Sequence, residues 1–288
     1  MGEEIKFSFQ VDSPTVKRVY RNQNNYLIDY SVGVSKNYCI IYFSSHDLYY
    51  PNTEEIFRKE IIRKNRFEWY NIRIKSGYKH IFIRDIQKQY YLNGINNNIN
   101  TIDGLLELLK AETKGFKVIT VGSSAGGFPA VLFGQLLNAV KIFTFNGLFE
   151  VKSKLSTTTE QINPIIFREK DNNLINKYFD LFPYINNPAS IYYFSSKYSE
   201  CDKKQYSHVL TLPIHLLLFK TAHHGIPFLK SSLKYIMNLN DDELNQLVNK
   251  GEYHPLFFSY KIEGPKALLN LFLLVWKDYI IKKIRLRN

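Results

Sequence analysis

The clearest candidate for a reactive site in this sequence is a serine between two glycines. Gly122 and Gly126 bracket Ser124 in the spacing Gly-x-Ser-x-Gly, directly after the β-branched apolar run Val118–Val121. Between a strand and a helix, this spacing is typical of a sharp turn that exposes one serine hydroxyl above the end of a sheet. Glycines leave room for the strained backbone of such a turn. The pattern predicts Ser124 as a nucleophile and Ser123 as a variable neighbour; a purely structural glycine-rich turn is the alternative.

A carboxylate that could support this chemistry follows a late predicted strand. A serine hydroxyl is a weak nucleophile near neutral pH and needs an imidazole base, and the imidazole needs a carboxylate to hold its tautomer. After the predicted strand at residues 191–194, Asp202 is the first choice for this acid and Glu200 the second. A solvated loop acid beside Lys203 and Lys204 is the alternative interpretation of Asp202.

Two adjacent histidines follow the next predicted strand, at residues 214–219. The order serine, acid, histidine is the one that accompanies Gly-x-Ser-x-Gly turns at the ends of successive strands. We favour His224 over His223 as the base because Gly225 permits a tight loop that aims the ring back at the serine. His223 is then expected to line the site or bind substrate.

An acyl-transfer site also needs N–H donors for the oxyanion that forms at the attacked carbonyl. One donor is expected from Ala125, the residue after the nucleophile. The second usually comes from the loop after an early strand, which here contains Ser45 and its neighbours. His46 in the same loop is a candidate for substrate binding, and a surface turn residue next to Asp47 is the alternative interpretation.

Short apolar runs alternate with helical patterns, which predicts an α/β chain with a mostly parallel central sheet and helices on both faces. Residues 1–288 are predicted to form a single domain, in which residues 150–187 lack strand periodicity and form a possible helical cap or insertion. Residues 6–34 alternate apolar and polar side chains and are predicted to form an antiparallel strand or hairpin. The other predicted strands cover residues 38–43, 80–83, 117–121, 141–145, 191–194 and 214–219, and the predicted helices residues 53–64, 102–109 and 128–137.

The composition is that of a globular protein with a basic surface, because 45% of its residues are hydrophobic and its net charge is +12. We expect no nucleic acid as a partner, since no nucleic-acid-binding motif and no block of five or six consecutive basic residues is found. Cys39 and Cys201 lack metal-type spacing, so no metal is expected. The N-terminal residues contain no apolar segment typical of a signal peptide, which predicts a cytoplasmic location.

The C-terminal residues combine an apolar stretch with a basic end. Ala267–Trp276 is apolar apart from one asparagine, and five Lys and Arg side chains lie between residues 277 and 287. We favour a last helix that packs on the sheet and ends in a solvated basic segment. A peripheral contact with an anionic inner membrane is the alternative.

Taken in order, the motifs resemble a known family. Gly122–Gly127, Tyr198-x-x-x-Asp202 and His223–Pro227 are similar to segments of bacterial capsular polysaccharide O-acetyltransferases of the meningococcal serogroup A type. The resemblance spans about residues 38–230. It implies the α/β-hydrolase fold, with Ser124 as nucleophile, Asp202 as acid and His224 as base.

The resemblance also implies an activity: transfer of acetyl from acetyl-CoA to hydroxyls of a capsular or surface polysaccharide through an acyl-serine. The sequence lacks the His-Gly-Gly-Gly loop of lipases, which argues against an ordinary lipid esterase. Two alternatives stay open. One is a carbohydrate esterase or deacetylase with the same three residues, and the other is a non-catalytic component of a glycan-modification or secretion assembly.

Overall fold

The computed structural model describes residues 11–267 together with Leu269 and Phe272. This part of the chain contains eight strands: β1 (Tyr26–Tyr30), β2 (Tyr38–Phe43), β3 (Gly77–Ile83), β4 (Lys117–Ser123), β5 (Lys141–Phe145), β6 (Ile191–Ser196), β7 (His215–Phe219) and β8 (Glu252–Tyr253). They form one sheet in the order β1-β3-β2-β4-β5-β6-β7-β8. β1 pairs antiparallel with β3, and all other neighbouring strands are parallel.

Helices connect these strands along the described chain. They are α1 (Pro14–Asn22), α2 (Glu54–Phe57, continued by a π-helical turn over Arg58–Arg63), α3 (Ile102–Thr113), α4 (Gly127–Leu136), α5 (Lys154–Thr157), α6 (Pro164–Arg168), α7 (Asn173–Asn176), α8 (Glu200–His208), α9 (Leu233–Ile236), α10 (Asp241–Lys250) and α11 (Pro255–Glu263). The predicted helix over residues 53–64 corresponds to α2 and its π-helical continuation.

Both faces of the sheet are buried. Along β2, Ile41 and Phe43 pack in an apolar cluster with residues of α3 and α4. The alternate residues Ile40 and Tyr42 pack in a second cluster with residues of α9, α10 and α11. Parallel strands that are covered on both faces appear in a sequence as continuous apolar runs, and for this reason the sequence predicts these strands well.

This arrangement is the α/β-hydrolase fold. The sheet is mostly parallel, one antiparallel strand lies at its edge, and helices cover both faces, as predicted. Residues 150–187, between β5 and β6, contain the short helices α5, α6 and α7. Ile165 and Ile166 of α6 are buried in the same cluster as α3 and α4, so this segment packs directly on one helical layer.

The prediction for residues 6–34 is wrong over α1. Residues 6–10 lie outside the described residues; within residues 11–34, Pro14–Asn22 is a helix and only Tyr26–Tyr30 forms a strand of the predicted antiparallel kind. Ser13 caps the helix by accepting a hydrogen bond from the Val16 N–H, and Pro14 stands at a first-turn position where it needs no donor. Val16 and Val19 are buried three residues apart, which is a helical spacing, whereas in a strand residues three apart would lie on opposite faces.

Within the described residues, no helix is long and apolar enough to cross a membrane. The basic segment at residues 277–287 and most of the apolar stretch before it lie outside the described residues. The expected packing of this segment on the sheet, and its alternative at a membrane, therefore remain sequence-based predictions.

Candidate active site

Ser124 lies in the sharp turn between β4 and α4. Its φ of 50° is in the left-handed region, which residues with a side chain rarely adopt. A Cβ on Gly122 would lie 2.0 Å from the carbonyl oxygen of Gly126, and a Cβ on Gly126 would lie 2.5 Å from the carbonyl oxygen of Phe43. Both positions need glycine because backbone passes too close for any side chain. The turn therefore presents Ser124 at the carboxyl end of a central strand.

The three side chains predicted as nucleophile, base and acid form one line of hydrogen bonds. His224 Nε2 lies 2.7 Å from Ser124 Oγ, and His224 Nδ1 lies 2.8 Å from Asp202 Oδ1. Because an ionised carboxylate only accepts, this contact assigns the proton of the neutral ring to Nδ1 and leaves a lone pair on Nε2 for the serine proton. His223 lines the cleft beside this line.

Asp202 is buried, with 1% of its surface exposed, whereas Glu200 is exposed. The sequence placed Asp202 in a loop; it belongs instead to the first turn of α8. Ser199 caps this helix by accepting a hydrogen bond from the Asp202 N–H. The solvated-acid interpretation is thereby wrong. Within the described residues, Asp202 Oδ2 is buried without a hydrogen-bond partner.

Asn146, at the end of β5, holds the loop that carries His224. Its side-chain nitrogen donates to the carbonyls of His223 and Gly225, at 3.3 and 2.9 Å, and to Ser196 Oγ at 2.8 Å. Its oxygen accepts from the Ser196 N–H at 2.7 Å. Asn146 is wholly buried and has φ 45°, a conformation that asparagine tolerates better than most residues. Asn146 is not among the residues predicted from the sequence, where its only signal is an asparagine directly after a buried strand.

The first N–H groups of the loop after β2 differ in whether they already have a hydrogen-bond acceptor. The Ser45 N–H donates to Glu68 Oε2 at 2.6 Å, the Asp47 N–H donates to Ser45 Oγ, and the Leu48 N–H donates to the Ser45 carbonyl. Among the described residues, the His46 N–H has no such acceptor. The predicted oxyanion donor Ser45 is therefore occupied, and the unoccupied donor of this loop belongs to the next residue.

Ala125 lies opposite that loop. It follows Ser124 in the one-turn 3₁₀ helix Ser124–Gly126, which packs against the turn at His46–Leu48. N–H groups in the first turn of a helix have no acceptor within the helix. The N–H groups of Ala125 and His46 thus lie on two contacting turns beside the nucleophile.

The His46 ring is close to the reacting groups and neutral. It packs against Tyr90, and Nε2 is buried without a hydrogen-bond partner among the described residues. Burial, reinforced by the positive charges of Lys88 and Lys154, lowers the pKa of His46 to about 3. Near neutral pH this ring therefore offers hydrogen bonding without carrying a proton to or from substrate.

Two cavities meet at the nucleophile. The larger, which we call the wide cleft, has a volume of about 930 Å³ and includes Glu68, Trp69 and His223 in its wall. The smaller, which we call the inner pocket, has a volume of about 420 Å³ and reaches Lys88 and Cys201. Both are lined by Ser124, His224, His46, Asp47 and Tyr50. Ser124 therefore lies in the wall of both cavities.

The wide cleft carries a basic wall formed by Lys59, Lys64, Arg66 and Lys230. Lys64 and Arg66 pair with Glu60 at 2.7 and 3.8 Å, and Lys230 pairs with Asp47 at 3.9 Å, whereas no ion pair of Lys59 occurs among the described residues. Asp47, Glu60 and Glu68 line the same cleft, so its four basic side chains leave a small excess of positive charge for an anionic ligand. No group of three or more His, Cys, Asp or Glu side chains that could hold a metal ion is found in the part of the chain described.

No protein-family model and no curated protein matches this sequence. Among solved structures, the chain is similar to the capsule O-acetyltransferase of Neisseria meningitidis serogroup A, at 15% identity over 79% of this chain and 92% of that chain, with a TM-score of 0.49. A mutant of that enzyme in complex with CoA shows 16% identity over 84% and 93% of the two chains, with a TM-score of 0.44. Esterase B from Lactobacillus rhamnosis shows 10% identity over 82% and 88%, with a TM-score of 0.42. At these values the likeness concerns the fold and assigns neither activity nor substrate.

Proposed function

We propose that this chain is a serine-dependent O-acyltransferase that forms an acyl-serine at Ser124 and passes the acyl group to a sugar hydroxyl. The observation that carries the proposal is the unbroken line from Ser124 Oγ through His224 to the buried Asp202, with bonds of 2.7 and 2.8 Å. This line joins a nucleophile to a base and the base to an orienting carboxylate, which is the arrangement that activates a serine hydroxyl.

In the first half-reaction, Ser124 Oγ attacks the carbonyl carbon of the acyl donor while its proton moves to His224 Nε2. Asp202 stays ionised and stabilises the imidazolium through Nδ1. The oxyanion accepts hydrogen bonds from the N–H groups of Ala125 and His46. When the tetrahedral intermediate collapses, the bond to the leaving group breaks, and the leaving group takes the proton from His224 Nε2.

In the second half-reaction, a hydroxyl of the acceptor gives its proton to His224 Nε2 and attacks the acyl-serine. The ester bond to Ser124 breaks, and His224 returns the proton to Ser124 Oγ. Water can replace the acceptor hydroxyl in the same step, which would make the chain an esterase or deacetylase. Access to Ser124 from both the wide cleft and the inner pocket supports transfer, because two substrates must reach one nucleophile.

The charge around the wide cleft supports a phosphate-bearing thioester as donor, and we propose acetyl-CoA. Lys59, Lys64, Arg66 and Lys230 would face its phosphates. Tyr50, with 75% of its surface exposed, lines both cavities and offers a face on which a sugar ring can stack. We propose a capsular or surface polysaccharide as acceptor and a cytoplasmic location, where such a donor is supplied.

Intact-protein mass spectrometry after mixing with acetyl-CoA tests the proposal, with the wild type compared with Ser124→Ala. A gain of one acetyl group that depends on Ser124 is the expected result. Release of CoA and acetate by the wild type alone, without an adduct, would identify a hydrolase. No adduct and no release in either protein would contradict acetyl-CoA as donor. His224→Gln should abolish acylation, whereas the neighbouring His223→Gln should retain it.

A further inference from the structure

We propose that Glu68 is a positioning residue for the oxyanion donors: it holds both polar hydrogens of Ser45 and thereby aims the next N–H, that of His46, at Ser124. The inference rests on the proposed function in one respect, namely that an oxyanion forms at Ser124. Glu68 acts through Ser45 and His46 and is assigned no contact with substrate.

The contacts of Glu68 account for every donor of Ser45. Oε2 accepts from the Ser45 N–H at 2.6 Å, and the two carboxylate oxygens lie 2.9 and 3.0 Å from Ser45 Oγ. Ser45 Oγ in turn accepts from the Asp47 N–H at 3.1 Å. This resembles a helix capping box, in which a glutamate accepts from the capping residue while that residue accepts from the first turn. Here the glutamate comes from 23 residues further along the chain.

Neighbours of Glu68 and Ser45 hold the adjoining backbone in the same way. Trp69 Nε1 donates to the Phe43 carbonyl at 2.9 Å. Tyr91 Oη donates to the Ser44 carbonyl at 3.1 Å. Three consecutive residues before His46 are therefore each held by a side chain from elsewhere in the fold, which restrains the backbone that leads to the His46 N–H.

A carboxylate suits this position better than an amide. Ser45 presents two donors, its N–H and its O–H, and a carboxylate only accepts, whereas a glutamine would turn N–H hydrogens toward one of them. Glu68 also lies in the wall of the wide cleft, where burial raises the pKa of its carboxyl while the bonds from Ser45 oppose that rise. Burying a carboxyl group lowers the stability of the folded chain unless its hydrogen bonds compensate, which favours a positioning role for Glu68 at the site.

Glu68→Gln tests the inference. The matched control is Glu150→Gln, because Glu150 also accepts from both the N–H and the O–H of one serine, Ser153, at 2.8 and 2.6 Å, yet lines neither cavity at Ser124. The first probe is p-nitrophenyl acetate, which reports acylation of Ser124. The second is trifluoroacetone, whose carbonyl carbon bonds Ser124 Oγ to give a tetrahedral oxyanion that fluorine NMR detects.

For Glu68→Gln we expect kcat for p-nitrophenyl acetate to fall about 10- to 100-fold with KM little changed, because an oxyanion donor acts on the transition state. The trifluoroacetone adduct should weaken by a similar factor. Glu150→Gln should stay within about threefold of the wild type in both assays. Ser45→Ala should reproduce the loss, and adding Glu68→Gln to it should cost little more, because both changes break one unit.

Three results would overturn the inference: Glu68→Gln equal to Glu150→Gln in both assays, a rise in KM without a fall in kcat, or faster acylation, which would make Glu68 an obstacle in the site. The adduct assay separates this inference from the proposed function. If acetyl-CoA never acylates the wild type but the trifluoroacetone adduct forms and weakens in Glu68→Gln, the donor assignment fails and the role of Glu68 stands.

Discussion

Replacing Asn146 by aspartate tests whether the loop around His224 is held in place from β5. The change keeps the size and shape of the side chain, and aspartate tolerates the left-handed φ of 45° almost as well as asparagine does. It replaces the amide donor group by a second oxygen and makes the buried side chain ionisable. The carbonyls of His223 and Gly225, on either side of His224, then face an oxygen where they had an N–H.

The expected cost follows from those contacts. The His223 carbonyl keeps the Ser196 hydroxyl as a donor, at 2.6 Å, whereas no other donor to the Gly225 carbonyl occurs among the described residues. One unpaired carbonyl, together with an unfavourable approach of two oxygens, should lower the free energy of unfolding by about 3 kcal/mol. This corresponds to a fall in Tm of about 6–12 °C for a chain of this size. A displacement of His224 by about 1 Å should lower kcat about 10²-fold.

Acylation by p-nitrophenyl acetate and a thermal melt measure the two effects separately. Asn96→Asp is the matched control, because Asn96 is also buried and donates to a backbone carbonyl, that of Asn24, yet lines neither cavity at Ser124. The control should lower Tm and leave kcat unchanged. If Asn146→Asp lowers Tm as the control does but keeps the kcat of the wild type, the reasoning about the loop is refuted.

Three further changes have expected outcomes. Asp202→Asn should lower kcat for p-nitrophenyl acetate about 10⁴-fold with the fold intact by circular dichroism, because an amide favours the wrong tautomer of His224; a tenfold loss or less would contradict the role of the carboxylate. Gly126→Ala should destabilise the chain by about 1–3 kcal/mol in urea unfolding, because its Cβ would lie 2.5 Å from a backbone oxygen. Gly104→Ala in α3 should cost less, because its Cβ would approach only a side-chain atom, Thr101 Oγ1 at 3.1 Å, with the nearest backbone atom at 4.0 Å; equal losses would argue against the packing account. Burial lowers the pKa of Lys88 to about 7, whereas a lysine in the unfolded chain has a pKa near 10.4, so the unfolded chain binds more protons between these two values. The free energy of unfolding of the wild type, relative to that of Lys88→Met, should therefore rise by up to about 4 kcal/mol from pH 7 to 10. A difference that stays constant over this pH range would refute a lowered pKa.

The meeting of Ser124, Asp202 and His224 could be predicted because each follows a buried strand. Continuous apolar runs identify parallel strands, and the carboxyl ends of parallel strands lie at one edge of the sheet. The order of the three residues along the chain and the glycine spacing then suffice to select them. The choice of His224 over His223 rested on Gly225, and the structure brings His224 to the serine.

The supporting residues could not be predicted because their contacts are remote in sequence or look ordinary. Glu68 lies in a segment without strand or helix, 23 residues from the serine it contacts. Asn146 is an asparagine after a strand, a common feature of turns. Helix α1 was missed for a different reason: over nine residues, periods of two and 3.6 share several positions, and the capping serine and proline were the better signal.

The position of Cys201 in the inner pocket makes the unmodified chain suitable for site-directed labelling. Of the two cysteines, Cys39 is buried in β2, where burial raises the pKa of its thiol to about 12. Cys201 is exposed beside Ser124. Because the thiolate is the reactive form, a maleimide near pH 8 will modify Cys201 and spare Cys39. A fluorophore or spin label attached there reports directly on occupancy of the inner pocket, with no engineered residue required.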